Sequence, residues 1–540
     1  MRSGLTGLGA GAVLVAALCA LPLVAVAIVA ALSDLETFRH LAATVLGGYV
    51  ANTLALVVLV ALGTFLVGTG AAWLVTMTDF PGRRWIEVGL VIPLAFPAYV
   101  LAYAYTHVLD HPGIVQTVLR DVTGWGPRDY WFPEIRSLGG AAAMLVLVLY
   151  PYVYLLARAS FGAQSASTFL AARTLGKSAW ATALTISLPM ARPAIASGML
   201  LATMETIADF GTVAHFGVQT FATGIYTSWF TLADRGAAAQ LALGLLAFAL
   251  LLAMLERSSR GGATYEAGRR HERMERIVLA GWRRWVAFGA CAVPILLGVV
   301  VPTVTLWVMA LGSEQDLTSR RYVGFVTNSL TLASVAAAVT VLAAIVVGSF
   351  QRLRPGALSD AAVYVGRLGY AVPGGVIAVG LFVPFAALDN GIDAWARESL
   401  GVSTGLLFTG SIWVLVMAYM VRFLAAALGA YESGVAGIGR NLDAVSRVLG
   451  QSAAGTVRRV HLPLMTPAVL TAALIVFVDV MKELPATLIM RPFNFDTLAV
   501  QAFRLAADER LEGAAVPSLV IAGIGLVPVV VLCRKVRRGI

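Results

Sequence analysis

The stretch AARTLGKSAWATALTISLP (171–189) holds the reading of this chain. It contains Gly176-Lys177-Ser178, the tail of a phosphate-binding loop. Such a loop needs a glycine five residues before the Gly-Lys-Ser, so that backbone N–H groups can curl around phosphates. That position is Ala171. Upstream, where a short buried strand should lie, there is instead a long apolar segment, Leu138 to Leu156, and then Arg158. The stretch is therefore not read as a nucleotide site.

Its surroundings are membrane-like. Of 540 residues, 59% are hydrophobic and 13% charged, with a mean hydropathy of +0.83. A soluble domain carries about 25% charge. The net charge of +10 sits in short loops between apolar runs, where it sets topology and does not bind nucleic acid. A bilayer core about 30 Å thick takes about 20 apolar residues as helix. Twelve such segments are predicted: 9–32, 49–76, 87–109, 138–158, 193–214, 237–255, 286–311, 326–349, 361–388, 404–430, 466–490 and 514–533. With a cytoplasmic N-terminus, 24 of the 39 Lys and Arg fall on the cytoplasmic side, 11 outside and 4 in or at the ends of spans. Both termini are thus expected in the cytoplasm. The first apolar run exceeds the 7–15 residues of a signal-peptide core and is read as a span. Cys19, Cys291 and Cys533 fall in or beside apolar runs without metal or disulfide spacing.

The opening stretch has a twin, LDAVSRVLGQSAAGTVRRVHLP (442–463), at an offset of 274. Gly176 pairs with Gly450, Ser178 with Ser452, Leu188 with Leu462, Pro189 with Pro463. The register runs on to pair Glu205 with Asp479 and Asp209 with Glu483. Upstream, Pro97 matches Pro373 at an offset of 276. Six spans per repeat predict parallel halves about a pseudo-two-fold along the membrane normal, with the substrate path between them. The segmentation expected is a first helix and outer loop (1–47), a first repeated membrane domain (48–255), an Arg-rich cytoplasmic linker (256–285), a seventh helix and outer loop (286–323), a second repeated membrane domain (324–533) and a basic tail (534–540).

In each twin, a Gly stands between two short helical runs and permits a positive φ. The Leu-Pro is expected to stop the second run before the next span. A helix-turn-helix made twice suits a docking knob addressed to two copies of a soluble partner.

The pattern Ala-Ala, three residues, Gly, nine residues, Ile-x-Leu-Pro resembles the EAA loop of ABC importer permeases. Ala171, Ala172, Gly176, Ile186, Leu188 and Pro189 fill its places in the first copy, with Leu170 where the family has Glu. In the second copy Asp443, Ala444, Gly450, Leu462 and Pro463 stand in or beside them, while Val445, Ser446 and Val460 depart. The resemblance implies a type I ABC transporter transmembrane fold, all-α, in which these loops dock on an ATP-binding subunit. ATP and Mg would then be held by that subunit, with no cofactor on this chain. It implies two ATP-binding subunits, a periplasmic solute-binding protein, membrane lipid as surroundings and no nucleic acid. One chain supplies both halves. The fused layout and segments such as FPAYVLAYAYTHVLD (96–110), METIADFGTV (204–213) and DVMKELPATL (479–488) resemble ferric-iron permeases of the bacterial inner membrane. Thiamine, phosphonate and polyamine importers share that layout. An ion-coupled secondary transporter also suits twelve spans in two halves, but leaves the twin loops unexplained.

The residues add a separate clue. Glu205 and Asp209, and Asp479 and Glu483, stand four apart, which on a helix places each pair on one face. Charge at bilayer depth faces a cavity or a partner, and hard cations prefer oxygen ligands. Two readings stay open: cargo passage, or gating and structural pairing, with Lys482 neutralising an acid or the following backbone N–H groups accepted. His107 and His111 are read as interface histidines, and His215 and His461 have no partner in sequence. No resident metal ligands are assigned.

Overall fold

The computed structural model describes residues 7–164, 174–176, 178–259 and 276–538. The chain is an all-α multi-pass membrane protein. Among the described residues, eleven helices are long and apolar enough to cross a bilayer, or twelve if one bent pair is a single span. Apolar side chains such as Leu14, Val58, Leu66, Leu251 and Leu342 stand exposed along these helices, as a lipid-facing surface requires.

The bent pair corrects the expected straight span 87–109. Arg83–Ala95 and Ala98–Thr123 meet at 96°. The cause is Pro97. The residue before a proline is driven out of the helical region, and Phe96 is extended at φ −93°, ψ 130°. Pro97 itself has ψ 143° and starts the helix Ala98–Leu109. Its match Pro373, also at ψ 143°, starts the helix Gly374–Leu400.

The chain divides into two compact units that do not follow sequence order. The first-repeat unit holds Gly48–Thr220, Phe248–Glu314 and Leu505–Ile540. In it Leu138–Gly162 packs against Leu188–Ala208, and Val301–Leu311 against Leu511–Arg538. The second-repeat unit holds Met1–Gly47, Phe221–Ala247 and Gln315–Arg504. In it Arg320–Leu353, Trp413–Ala436 and Leu462–Lys482 pack together, and Gly7–Leu32 lies on Gly374–Leu400. The segment around the first helix therefore packs with the second repeat, and the segment around the seventh with the first.

Each unit has an ion pair between comparable helices, with the charges exchanged. Arg158 pairs with Glu87 in the first-repeat unit. Glu432, the match of Arg158 at the 274 offset, pairs with Arg367 in the second-repeat unit. These charges lie at helix ends, where each has a partner of opposite sign.

Candidate functional site: twin elbows and capped acids

The elbow is clearest in the second-repeat unit. Arg440–Val448 is a helix, Gly450 turns the chain at φ +76°, and a second helix begins at Ala453. Gly176 in the first-repeat unit has φ +83°. A Cβ on either glycine would meet nothing within 4 Å. The requirement is therefore the left-handed backbone and not space. Ser452 Oγ accepts from the Gly455 N–H at 3.1 Å, and Ser178 Oγ from the Ala181 N–H at 3.1 Å. The serine of the apparent Gly-Lys-Ser motif thus caps a helix. Ala171 and Ala172 lie outside the described residues.

The prolines do not stop the helix as expected. Ala453–Lys482 runs through Leu462 and Pro463 as one span, and Ala183–Ala208 through Leu188 and Pro189. Each carries a π-helical turn immediately before the Leu-Pro, Val457–His461 and Ala183–Ser187. A proline lacks the N–H and clashes with the carbonyl four residues back. A wider π turn at that point takes up both defects, so the helix continues. Ile186 lies in this turn, half-buried.

On the helix Arg440–Val448 two faces separate. Leu442, Val445, Val448 and Leu449 are exposed, Val448 by 87%, and Ala444 joins them. Asp443 and Ser446 point inward. Asp443 Oδ2 accepts from Arg352 Nε at 2.8 Å, and its Oδ1 lies 2.7 Å from His461 Nε2. Arg352 also donates to the carbonyls of Val435 and Ile438, at 2.8 and 2.7 Å. Ser446 Oγ and Thr456 Oγ1 are 2.8 Å apart, tying the two arms of the elbow. Burial pushes the Asp443 carboxyl up, but the hydrogen bonds from His461 and Arg352 outweigh it and hold its pKa below 3.8. Asp443 therefore braces the elbow from inside and does not present its carboxylate. Arg352 and His461 lie 91 and 18 residues from Asp443 in sequence, beyond any local pattern.

The acids of the fifth spans take a form that the spacing did not show. The helices end at Ala208 and Lys482. Asp209 and Glu483 are extended, at ψ 127° and 128°. Neither pair shares a helix face. Asp209 accepts from the N–H groups of Thr212 and Val213, at 3.0 and 3.2 Å, and from Thr212 Oγ1 at 3.0 Å. Glu483 accepts from the N–H groups of Ala486 and Thr487, at 3.1 and 3.2 Å, from Thr487 Oγ1 at 3.0 Å and from Tyr419 at 3.3 Å. Both cap the short helix that follows. Asp479 pairs with Lys482 at 2.9 Å, while Glu205 is half-buried. A Cβ on Gly374 would stand 2.6 Å from Glu483 Oε1 and 2.7 Å from Arg422 Nη1, so glycine makes room for both groups.

His215 Nε2 lies 3.0 Å from Thr106 Oγ1, edge-on to Tyr103. Among the described residues no group of three or more His, Cys, Asp or Glu could hold a metal ion.

A further ion-pair node joins three loops of the first-repeat unit. Arg136 donates to Asp110 at 2.9 Å and to both oxygens of Glu509 at 2.7 and 2.8 Å. The Arg136 hydrogen bond holds the Glu509 pKa below 4.5. A depressed carboxylate stabilises above its unfolded pKa and loses that contribution as pH falls through the folded one. The melting difference between wild type and Glu509→Gln is expected to stay constant above pH 4.5 and to shrink below it. A pH series of melting curves for the two proteins checks this.

Comparison with known proteins bears on what these elements serve. Residues 340–533 match the family model of the binding-protein-dependent transport system inner membrane component. The matched permease domain contains the second elbow and its acids. The chain is 26% identical over 492 residues to the Fe(3+)-transport system permease protein FbpB 2 of Haemophilus influenzae, covering 89% of this chain and 88% of that protein. It is 24% identical over 440 residues to the ferric transport system permease protein FbpB of Actinobacillus pleuropneumoniae, covering 77% and 60%. The molybdenum transport system permease protein ModB of Escherichia coli is 27% identical over 186 residues, which is 33% of this chain. The resemblance to ABC importer permeases of the ferric type thus extends over most of the chain.

Proposed function

We propose that this chain is the permease subunit of a binding-protein-dependent ABC importer that moves ferric iron across a bacterial inner membrane. ATP is hydrolysed on separate subunits, one docked at each elbow, and both termini lie on the same, cytoplasmic, side. A periplasmic binding protein delivers the cargo. The observation that carries the class is the elbow itself, built twice with a left-handed glycine, a serine cap and a π turn at matching positions. The cargo rests on the near full-length similarity to the ferric permease of Haemophilus influenzae, against one third of the chain for the molybdenum permease.

Coexpression with the ATP-binding subunit tests the class. Native mass measurement is expected to give two ATP-binding subunits per chain. Val448→Asp with Leu449→Asp, which puts charge on the exposed face, is expected to leave one. Unchanged stoichiometry, with the double variant still folded, would refute docking at this elbow.

Under this reading the acids border the cargo path as well as capping helices. Asn caps a helix about as well as Asp, so Asp209→Asn is expected to alter stability by less than about 0.5 kcal/mol. Asp209→Ala is expected to lose about 1 kcal/mol. Uptake by the Asn variant then reads the charge alone and is expected to fall at least about tenfold, a difference of about 1.4 kcal/mol. Unchanged uptake would restrict Asp209 to capping.

A further inference from the structure

One face of the first-repeat unit is used by neither the elbow nor the acids. Thr78–Asp79 pairs in parallel with Ile277–Val278. Beside this contact the helix Arg83–Gly89 packs on the helix Trp282–Ile295. Gly82 takes φ +73° there, and Phe288 would lie 3.5 Å from a Cβ on it. The two helices open alike, as Arg83-Arg84-Trp85 and Trp282-Arg283-Arg284-Trp285.

Their side chains divide in an unusual way. Trp85 is 76% exposed, Trp282 70% and Trp285 55%. Val278 and Val286 are exposed beside them. Two neighbouring acids among the described residues are already taken: Glu87 pairs with Arg158 and Arg83, and Asp79 with Arg83. Arg84, Arg276, Arg283 and Arg284 are exposed and form no ion pair among the described residues. The Arg284 guanidinium lies over the Trp285 ring, 5.5 Å from its centre.

Exposed tryptophans are costly in water, and arginines with no ion partner among the described residues offer free donors; one environment suits both. An indole places its apolar body among acyl chains and its N–H among headgroups. A guanidinium forms paired hydrogen bonds to phosphate oxygens. Both helices lead into membrane-crossing segments, Trp282–Leu311 and the bent pair beginning at Arg83. Their first residues therefore stand at headgroup depth. We propose that Arg84, Arg276, Arg283 and Arg284, with Trp85, Trp282 and Trp285, form a binding surface for anionic phospholipid headgroups. The inference needs only a membrane protein and does not rest on the cargo or on the ATP-binding partner.

The test uses the full chain, purified from mixed micelles with equal amounts of phosphatidylglycerol and phosphatidylcholine. Native mass spectrometry counts the lipids retained. Wild type is expected to retain phosphatidylglycerol in preference, less so as salt rises. An arginine near a charged surface is worth roughly a fivefold change in binding. The triple variant Arg84→Gln, Arg283→Gln, Arg284→Gln is expected to lose the preference more than about tenfold on that scale. The same charge change at Arg128, Arg397 and Arg504, of which Arg397 and Arg504 already pair with Asp393 and Asp496, is expected to leave it. Excess inorganic phosphate is expected not to displace the lipid; displacement would mean that a free anion site had been found in place of a lipid surface. Equal retention of both lipids by wild type would overturn the proposal. So would a triple variant that melts normally and keeps the preference. The salt series on wild type stands even if the variant fails to fold: a preference indifferent to salt would also overturn the proposal.

Discussion

Asp443→Ala is expected to destabilise the second-repeat unit by about 3–5 kcal/mol, the usual cost of removing one partner of a buried ion pair. The carboxylate is buried and bound by both Arg352 and His461. Without it the Arg352 guanidinium keeps only its carbonyl contacts, to Val435 and Ile438. Arg352 ends the helix Arg320–Leu353 and His461 lies at the base of the helix Leu462–Lys482, so the junction makes the elbow follow two membrane helices. Asp443→Asn keeps a hydrogen-bond acceptor for Arg352 and is expected to lose less stability. Its informative readout is coupling. ATP hydrolysis by the assembled complex should persist while uptake per ATP falls. Loss of both in proportion, with normal melting, would mean that the junction sets docking strength and not coupling.

Gly380→Leu is expected to cost the same unit at least about 1–3 kcal/mol, the range for overpacking. A Cβ at this position would lie 2.3 Å from the Pro22 carbonyl oxygen and 2.8 Å from Pro22 Cα. These are backbone atoms of the first helix and cannot turn away. The helix Gly7–Leu32 must then shift off Gly374–Leu400. Gly391→Ala in the same helix is the control, because a Cβ there meets nothing within 4 Å. It is expected to be neutral or stabilising by up to about 1 kcal/mol, since alanine favours helix over glycine. Melting of the two variants in detergent separates a specific backbone contact from a general intolerance of glycine replacement.

The repeat was legible because its parts are local. Gly176 and Gly450 each demand a left-handed backbone that few other residues take, and a register of 274 carries that demand from one copy to the other. Pro189 and Pro463 misled for the same reason. A proline is a local signal of a break, but the π turn before it lets the helix continue, and no residue type marks a π turn. The four-residue spacing of the acids assumes a helical period that ends one residue too early. Asp209 and Glu483 fall beyond the last helical residue, where four-residue spacing no longer sets a face. The following N–H groups bind both acids, as the structural reading allows, and a part in cargo passage is a separate matter for the uptake of Asp209→Asn. The junction of Arg352, Asp443 and His461, and the packing of the first helix with the second repeat, were not legible. Both join residues far apart in sequence, and each partner alone looks like an ordinary interface residue.

Radiolabelled Fe³⁺ uptake decides between an ATP-driven iron permease and its alternatives. The chain would be reconstituted in liposomes with its ATP-binding subunit and its binding protein, with excess unlabelled thiamine or molybdate as competitors. Uptake is expected to require ATP, and neither competitor is expected to reduce it. Absence of iron uptake, with ATP hydrolysis stimulated by a binding protein loaded with another solute, would contradict the cargo and leave the permease class standing. Uptake indifferent to ATP and driven by an ion gradient would contradict the class itself.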